Sequence, residues 1–240
     1  METIDFDRIN LEGARVLDVG CGDGRHSHAA ALEGASTVVG IDINRARLET
    51  AREDGRELSE GSTIAADTGY LRGDATSLPF PDDSFDVVVC SEVLEHLPAY
   101  ETALDEIGRV ARPDATLAIS VPRYGPERVC WALSDEYHEV EGGHVRIFER
   151  RALQAAVEAR GFDRIDGHFA HALHAPYWWL KCLWWDRDEQ GDPPSPLRAY
   201  DRFLKWDVLN DPAPVRLLER ALDPLVGKSV VMYFENETGA

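Results

Sequence analysis

Short apolar runs alternate with longer amphipathic segments along most of this chain. Runs at residues 15–20, 37–42, 85–90 and 116–121 are rich in β-branched and aliphatic residues, and weaker runs occur at 70–74, 162–169 and 229–234. Each of the strong runs is bounded by turn residues or by a segment with helical spacing. The alternation predicts an α/β fold, a Rossmann-like three-layer sandwich around a mostly parallel seven-stranded sheet.

Segments of helical character lie between the predicted strands. They cover residues 25–33, 44–60, 92–97, 100–111 and 149–160, with a stop at residues 112–114 around Pro113. Residues 122–145 show no clear period and contain three glycines, which predicts a mobile loop or lid.

About sixty residues separate the last two predicted strands, and they hold five of the six tryptophans. We expect a single domain over residues 1–240, with a core at 10–169 and 228–236 and a helical, Trp-rich insertion at 170–227. Three roles remain open for the tryptophans: packing as core, a hydrophobic substrate pocket, or membrane contact. We expect the insertion to form a cap over the substrate.

Charge narrows the set of partners. The formal net charge is −19, and only three of the 25 basic residues are lysines. Because phosphate binding depends on Lys and Arg, an extended nucleic-acid interface is not expected. Abundant acid with scarce lysine resembles proteins of a high-salt cytoplasm, where salt screens self-repulsion.

The cysteines and the N-terminal segment indicate a compartment. Four cysteines lie far apart without a CxxC pair, so neither a zinc knuckle nor a disulfide framework is predicted. The first residues are acidic and lack an apolar signal segment, and no window has the ~20 apolar residues of a membrane-spanning helix. We expect a cytoplasmic protein.

A glycine-rich turn follows the first predicted strand. Gly20, Gly22 and Gly24 come directly before a helical segment, and Asp18 precedes them. Such a turn lets a nucleotide-type cofactor approach the main chain. The dinucleotide pattern G-x-G-x-x-G has a third glycine where this chain has Arg25. Acidic residues around the turn favour a cationic cofactor without a pyrophosphate.

Three motifs in order carry a family resemblance. They are Val-Leu-Asp-Val-Gly-Cys-Gly-Asp-Gly at 16–24, Gly-Ile-Asp-Ile at 40–43, and Gly-Asp-Ala at 73–75 followed by Leu-Pro-Phe at 78–80. Together they resemble the class I S-adenosylmethionine-dependent methyltransferases of the broad UbiE/UbiG-like small-molecule group. The resemblance covers about residues 10–165 and, more weakly, the last strand.

The resemblance implies a cofactor site for S-adenosylmethionine. The turn would wrap the methionine part, Asp42 would bind the ribose hydroxyls, and Asp74 would face the adenine amine. The implied cofactor-binding set is Asp18, Gly20, Cys21, Gly22, Asp42, Ile43, Asp74, Ala75 and Ser91. Two alternatives remain open, namely that Asp18 is a satisfied core acid and that Asp42 caps a helix.

Acid and histidine residues follow the fourth predicted strand. Glu92 and His96 are spaced i, i+4 on a predicted helix face, with Glu95 between them. His144 is the natural fourth member of this group, since some relatives hold a divalent cation with such residues. We assign His144, His96 and Glu92 as catalytic candidates, with His144 leading, and assign no metal ligand. His168, His171 and His174 form a spaced trio with no clear role, for which a metal site and satisfied surface or helix histidines are both open.

The predicted function is methyl transfer from S-adenosylmethionine to O, N or C of a small acceptor that is hydrophobic or aromatic. A nucleotide-dependent oxidoreductase or epimerase, and a non-catalytic Rossmann-like binding module, are the alternatives. The expected partner is a small molecule, with a lipid-like acceptor and peripheral membrane contact both left open. The sequence does not indicate an oligomeric state.

Overall fold

Seven strands form one sheet in the order β3-β2-β1-β4-β5-β7-β6 in the computed structural model, which describes residues 2–61, 66–140 and 142–237. The strands are β1 (Arg15–Val19), β2 (Thr37–Asp42), β3 (Asp67–Arg72), β4 (Phe85–Ser91), β5 (Ala111–Pro122), β6 (Phe162–Ala170) and β7 (Ser229–Asn236). The predicted domain ends at Met1 and Ala240 lie outside the described residues.

Only β7 runs against the other strands. The pairs β1–β2, β1–β4, β2–β3 and β4–β5 are parallel, whereas β7 is antiparallel to both β5 and β6. The carboxyl ends of six strands therefore meet at one edge of the sheet, where ligands bind in open α/β folds. The predicted mostly parallel seven-stranded sheet is confirmed.

Helices cover both faces of the sheet. They are α1 (Arg25–Leu32), α2 (Arg45–Gly61), α3 (Tyr100–Val110), α4 (Tyr124–Leu133), α5 (Glu136–Glu139), α6 (Arg150–Glu158), α7 (His174–Leu183), α8 (Trp185–Glu189), α9 (Ser195–Asn210) and α10 (Ala213–Val226). Alternate strand residues enter opposite cores: Leu117 packs with α3 and α6, and Ala118 packs with α1. This period-2 alternation produces the predicted three layers.

The predicted helix at residues 92–97 is wrong. Glu92 takes a left-handed φ of 56°, and its N–H donates to the Ser120 carbonyl at 2.9 Å. Glu92 therefore stays hydrogen-bonded to β5 after the end of β4, and no helical turn begins at this residue. Only Leu94–His96 is helical, as a short 3₁₀ turn.

The predicted loop over 122–145 is also corrected, because it contains α4 and α5. The buried face of α4 consists of Pro126, Glu127 and Cys130, so it carries no apolar stripe that a periodicity search would find. The predicted helix stop at residues 112–114 agrees with the end of α3 at Val110. The fifth strand starts earlier than the predicted residue 116, because β5 begins at Ala111 and passes this segment with Asp114 at a φ of 63°.

The helical insertion begins and ends at the carboxyl edge of the sheet. Ala170, the last residue of β6, pairs with Ser229, the first of β7, and Ser229 also pairs with Pro122 at the end of β5. Helices α7 to α10 therefore start and finish on the side where ligands bind. None of the helices in the described part of the chain is both long and apolar enough to cross a membrane.

Candidate functional site

The turn between β1 and α1 is closed to side chains. Gly20 has a φ of 70°, and a Cβ on it would lie 2.3 Å from Cγ2 of Val93. Gly22 has a φ of 54°, and its Cβ would lie 2.5 Å from Nη2 of Arg47. Positive φ and lack of space both demand glycine at these positions. The turn therefore presents bare backbone at the carboxyl edge of the sheet.

Asp42 holds this turn from the end of β2. Its Oδ2 accepts the Gly22 N–H at 2.9 Å, and its Oδ1 accepts the Asn44 N–H at 2.7 Å. The cap of α2 is Asn44, whose side chain accepts the Ala46 N–H at 3.0 Å, so the alternative role of Asp42 as the helix cap does not apply. Each carboxylate oxygen has a second lone pair left for a ligand hydroxyl.

Asp18 lies beneath the turn in a buried position. It is 2% exposed, and its Oδ2 accepts the Ser27 hydroxyl at 2.7 Å. Burial raises the pKa of Asp18 to about 6, although the hydrogen bonds from Ser27 oppose this shift. A cation above the turn would favour its ionised form. The contact with Ser27 also fits the reading of Asp18 as a satisfied core acid.

One acid near the turn already has a basic partner. Asp23 forms an ion pair with Arg47, with Nη2 and Oδ2 separated by 3.0 Å. Of the three acids around the glycines, Asp18 and Asp42 are therefore the two that form no ion pair among the described residues. The same pairing occupies the Arg47 guanidinium.

The remaining cofactor candidates also lie where β2, β3 and β4 end. Ile43 is 65% exposed just after β2, and Asp74 follows β3 with its Oδ1 accepting the Thr76 N–H at 2.8 Å. Ala75 packs on the core beside them, and the Ser91 Oγ lies 2.8 Å from the Ser120 Oγ. The structure thus places all of the predicted residues at one edge. A glycine cradle with acids beside it and an exposed apolar side chain fits S-adenosylmethionine.

A buried carboxylate that the sequence did not single out holds His144. The Glu127 Oε1 lies 2.5 Å from the His144 Nδ1, and the Glu127 side chain is 1% exposed. It also accepts from the Trp131 Nε1 at 3.1 Å and the Tyr137 hydroxyl at 3.3 Å. Burial opposes its charge, but the hydrogen bond to His144 and the charges of His144 and Lys228 lower the pKa of Glu127. A carboxylate that orients a histidine is the arrangement of a general base.

His96 lies beside this pair. Its ring centroid is 4.8 Å from that of His144, and its Nδ1 lies 3.3 Å from the Gly143 carbonyl. Burial, with a smaller contribution from His144, lowers the pKa of His96. His96 is therefore neutral at pH 7.

Glu92 and Glu95 occupy different places. The predicted pairing of Glu92 with His96 on a helix face is wrong, since Glu92 precedes the 3₁₀ turn and accepts the Ser120 hydroxyl at 2.9 Å. The Glu95 side chain is 1% exposed, and neither of its oxygens has a hydrogen-bond partner among the described residues. Burial and the charge of Glu92 raise its pKa well above the usual range.

The cluster of Glu95, His96 and His144 is compact enough to hold a cation. One ligand atom from each residue lies within 4.8 Å of the others. The Val145 N–H donates to the Glu95 carbonyl at 2.9 Å, which fastens the segment after His144 to the 3₁₀ turn.

Aromatic side chains of α4, α5 and the insertion pack together next to His144 and Glu127. We call Trp131, Tyr137, Trp178, Trp179 and Trp185 the aromatic cluster; these residues pack around the buried Cys130 and Cys182. The Tyr137 ring lies 5.5 Å from His144 and 5.8 Å from Trp178. The insertion therefore meets the pair of His144 and Glu127 through Tyr137.

Other histidines have local partners. His26 accepts the Thr3 N–H at 3.3 Å, and burial lowers its pKa to about 3. His28 packs edge-on against Tyr70, and His138 stacks on Trp131 at 4.0 Å. These contacts fit structural roles.

Comparisons with known proteins agree with this geometry. The family described as "Methyltransferase domain" matches residues 17–119. The chain is 41% identical over 133 residues to the ubiquinone biosynthesis O-methyltransferase of Hahella chejuensis, covering 54% of this chain and 53% of that protein. It is 37% identical over 168 residues to the methyltransferase GfsG of Streptomyces halstedii, covering 67% and 57%. The chain therefore spans somewhat more than half the length of these curated relatives.

Among solved structures, the [4+2]-cyclase SpnF superposes with a TM-score of 0.63 at 20% identity, covering 96% of this chain and 77% of that one. This likeness concerns the fold. Because that neighbour is named as a cyclase, the fold by itself does not specify the reaction, and the reaction has to be argued from the site.

Proposed function

Because the chain belongs to the class I S-adenosylmethionine-dependent methyltransferases, we propose that it binds S-adenosylmethionine at the glycine turn and transfers its methyl group to O, N or C of a small hydrophobic or aromatic acceptor. One observation supports this proposal most strongly. A glycine turn that excludes side chains and a histidine oriented by a buried carboxylate are both built on segments at the carboxyl edge of the sheet.

The cofactor half of the site binds and orients. When bound, S-adenosylmethionine supplies an activated methyl group on a positively charged sulfur. Gly20, Cys21 and Gly22 would present the backbone to its methionine part, Asp42 would accept from the ribose, and Asp74 would bind the adenine with Ile43 and Ala75. Asp18 would interact with the ammonium, and Ser91 would line the site. The expected gain is alignment of the methyl carbon with the acceptor atom.

His144 acts as the general base in this proposal. With Nδ1–H donating to Glu127, Nε2 carries the lone pair that accepts a proton from the acceptor. Glu127 then stabilises the imidazolium, and it is a positioning residue because it acts through His144. His96 keeps the His144 ring in place, and Glu92 shapes the exit from β4 through Ser120.

The insertion at 170–227 serves as the cap over the acceptor within a single domain of core 10–169 and 228–236. The aromatic cluster would bury an apolar or aromatic acceptor and exclude water. The Lys228 ammonium lies 5.4 Å from the Trp178 ring centroid, so the cluster also has a cationic rim. A relative named as an O-methyltransferase makes oxygen the first acceptor atom to test. We place the protein in the cytoplasm, with a lipid-like acceptor and peripheral membrane contact as outcomes to examine.

Two other functions fit the site less well. A nucleotide-dependent oxidoreductase or epimerase would favour a third glycine at the start of α1 for a pyrophosphate, whereas this chain has Arg25 there and the acids Asp18 and Asp42 beside the turn. A non-catalytic binding module has no use for a histidine held 2.5 Å from a buried carboxylate.

Transfer of a labelled methyl group tests the proposal. The full chain is incubated with methyl-labelled S-adenosylmethionine and small-molecule and lipid extracts of the source cells. We expect label in a discrete organic compound, together with S-adenosylhomocysteine, and loss of both with His144→Asn. Turnover of a nicotinamide cofactor without label transfer would establish the oxidoreductase alternative instead.

A further inference from the structure

A second histidine cluster lies away from the cofactor turn, where β6 ends and the insertion begins. His171 follows β6, His174 is the first residue of α7, and Glu219 lies on α10. One ligand atom from each lies within 4.8 Å of the other two. Glu219 lies 48 and 45 positions after the two histidines, so the fold rather than local spacing brings the carboxylate to them.

The local contacts prepare two imidazoles and a carboxylate as ligands. The His174 Nδ1 lies 3.9 Å from the Glu219 Oε1, and it is buried without a hydrogen-bond partner among the described residues. The His171 Nε2 lies 3.0 Å from the Thr3 hydroxyl, a contact that fixes the ring as outer-shell partners do in metal sites. An unpaired buried nitrogen is costly unless a ligand takes it.

The charge around the cluster also favours a cation. The Asp207 side chain on α9 is buried and lines the same cleft as Glu219. Asp223 accepts the Ala172 N–H at 2.9 Å next to His171. Five arginines line the same cleft, namely Arg8, Arg150, Arg164, Arg216 and Arg220, and the charges of Arg25 and Lys228 also act on His171. Eight acidic side chains line the cleft as well, so acidic side chains outnumber basic ones there.

We propose that His171, His174 and Glu219 bind one divalent transition-metal ion, with Zn²⁺ as the best match, and that this ion fastens the insertion to the sheet. Two imidazoles with one carboxylate form a common zinc set. Zinc bonds of about 2.0–2.2 Å bring tetrahedral ligand atoms to roughly 3.4 Å apart, so small side-chain rotations close the set from its present spacing. Asp207 or water supplies the fourth ligand.

The site has an access route and a structural consequence. His171, Glu219 and Asp207 line a cleft of about 1150 Å³ between the N-terminal segment, the end of β6 and helices α9 and α10. An ion entering from this cleft would link the β6–α7 turn to α10. The ion would then join the first helix of the insertion, α7, which carries part of the aromatic cluster, to its last helix, α10.

The test measures metal binding to the full chain after treatment with a chelator. The two readouts are calorimetric titration with ZnCl₂ and the visible absorption of bound Co²⁺. We expect one ion per chain, a rise in melting temperature, and a dissociation constant raised at least about 100-fold in either His174→Gln or Glu219→Gln. The matched controls are His168→Gln, from the same trio but outside the cluster, and His144→Gln, from the other cluster. Both controls should bind as the parent does.

Two results would overturn the proposal. One is the absence of zinc binding by the folded parent chain. The other is zinc binding that survives both His174→Gln and Glu219→Gln but is lost in His144→Gln, which would assign the ion to the cluster with Glu95. Circular dichroism of each variant confirms that the chain is folded, and Glu219→Gln, which replaces a carboxylate by an amide of the same shape, serves if His174→Gln fails to fold.

Discussion

At the cofactor turn the site is made of backbone, whereas at the aromatic cluster it is made of side chains. The turn depends on left-handed glycines with no room for a Cβ, held by a carboxylate from the next strand. The cluster depends on rings from α4, α5, α7 and α8 that meet around two thiols. The backbone geometry of the turn tolerates few substitutions, whereas packed rings can be replaced by side chains of similar volume and shape.

The difference assigns separate tasks to the two regions. In the proposed function, the backbone of the turn would bind the cofactor that every reaction shares, while the side chains of the aromatic cluster would bind the particular acceptor. His144 stands between them, since its carboxylate comes from α4 and its neighbour His96 follows β4. Substitutions in the two regions should therefore separate cofactor affinity from acceptor affinity and rate.

The largest effect is expected at His144, which lies between the two regions. His144→Asn should lower kcat about 10²- to 10⁴-fold, because the proton acceptor is lost, while affinity for S-adenosylhomocysteine stays unchanged. His138→Asn is the matched control, since His138 stacks on Trp131 but bonds to no carboxylate. Glu127→Gln should lower kcat less and shift the pH profile of kcat. Full activity of His144→Asn would remove the general base from the account.

Gly20→Ala should damage the cofactor half next most severely. The left-handed φ and the contact with Val93 together cost about 2–5 kcal/mol in the free energy of unfolding, and S-adenosylhomocysteine binding should weaken in parallel. Gly13→Ala separates the two causes, because Gly13 has a φ of 71° but nothing within 4 Å of its Cβ. The control should lose only about 1–2 kcal/mol. Urea denaturation measures both, and equal losses would show that the turn is not closed to side chains.

The pH dependence of stability tests Asp18. Because burial raises its pKa to about 6, the folded chain keeps a proton that the unfolded chain releases from about pH 4 upward. Stability should therefore fall as pH rises from about 4 to 6, by at most about 3 kcal/mol, and then level off. Asp18→Asn should lack this fall.

Binding of S-adenosylhomocysteine sharpens the same prediction. If the ammonium lies above Asp18, affinity should increase as pH rises through about 6 in the parent and stay flat in Asp18→Asn. An affinity that does not change with pH in the parent would make Asp18 a core acid held by Ser27.

The smallest effect is expected at the aromatic cluster. Trp178→Leu should raise KM for the acceptor about tenfold at most, since one ring contact is worth about 0.5–1.5 kcal/mol, and leave cofactor affinity alone. Trp206→Leu is the control, because Trp206 lies 48% exposed on α9 outside the cluster. Steady-state kinetics with the acceptor found above measure the change. An equal effect of both substitutions would separate the cluster from the acceptor.

The same contrast explains what the sequence could predict. The cofactor turn is a local pattern, and strands of β-branched residues with helices between them specify the sheet, so Gly20, Asp42 and Asp74 could be placed at its carboxyl edge in advance. Glu127 could not be found in this way. It lies on the buried face of a helix without an apolar stripe, and its importance depends on His144, which is 17 residues away.

Tertiary pairing also overrode two local signals. The segment after β4 has helical spacing, but the bond from the Glu92 N–H to Ser120 draws it along β5. Pro113 marks the end of α3 as predicted, but pairing starts β5 already at Ala111 rather than at residue 116. The partnership of His171 and His174 with Glu219 likewise depends on how α10 returns to the sheet, which no spacing rule contains.

Calorimetric titration of the full chain with S-adenosylhomocysteine, repeated with NAD, tests the central claim most directly. The account predicts one binding site for S-adenosylhomocysteine, no heat with NAD, and an affinity lowered about 10- to 100-fold in Asp42→Ala, because the ribose loses its charged acceptor. Asp86→Ala, at the far end of β4, should bind as the parent does. Binding of NAD alone, or an Asp42→Ala chain that binds as tightly as the parent, would contradict it.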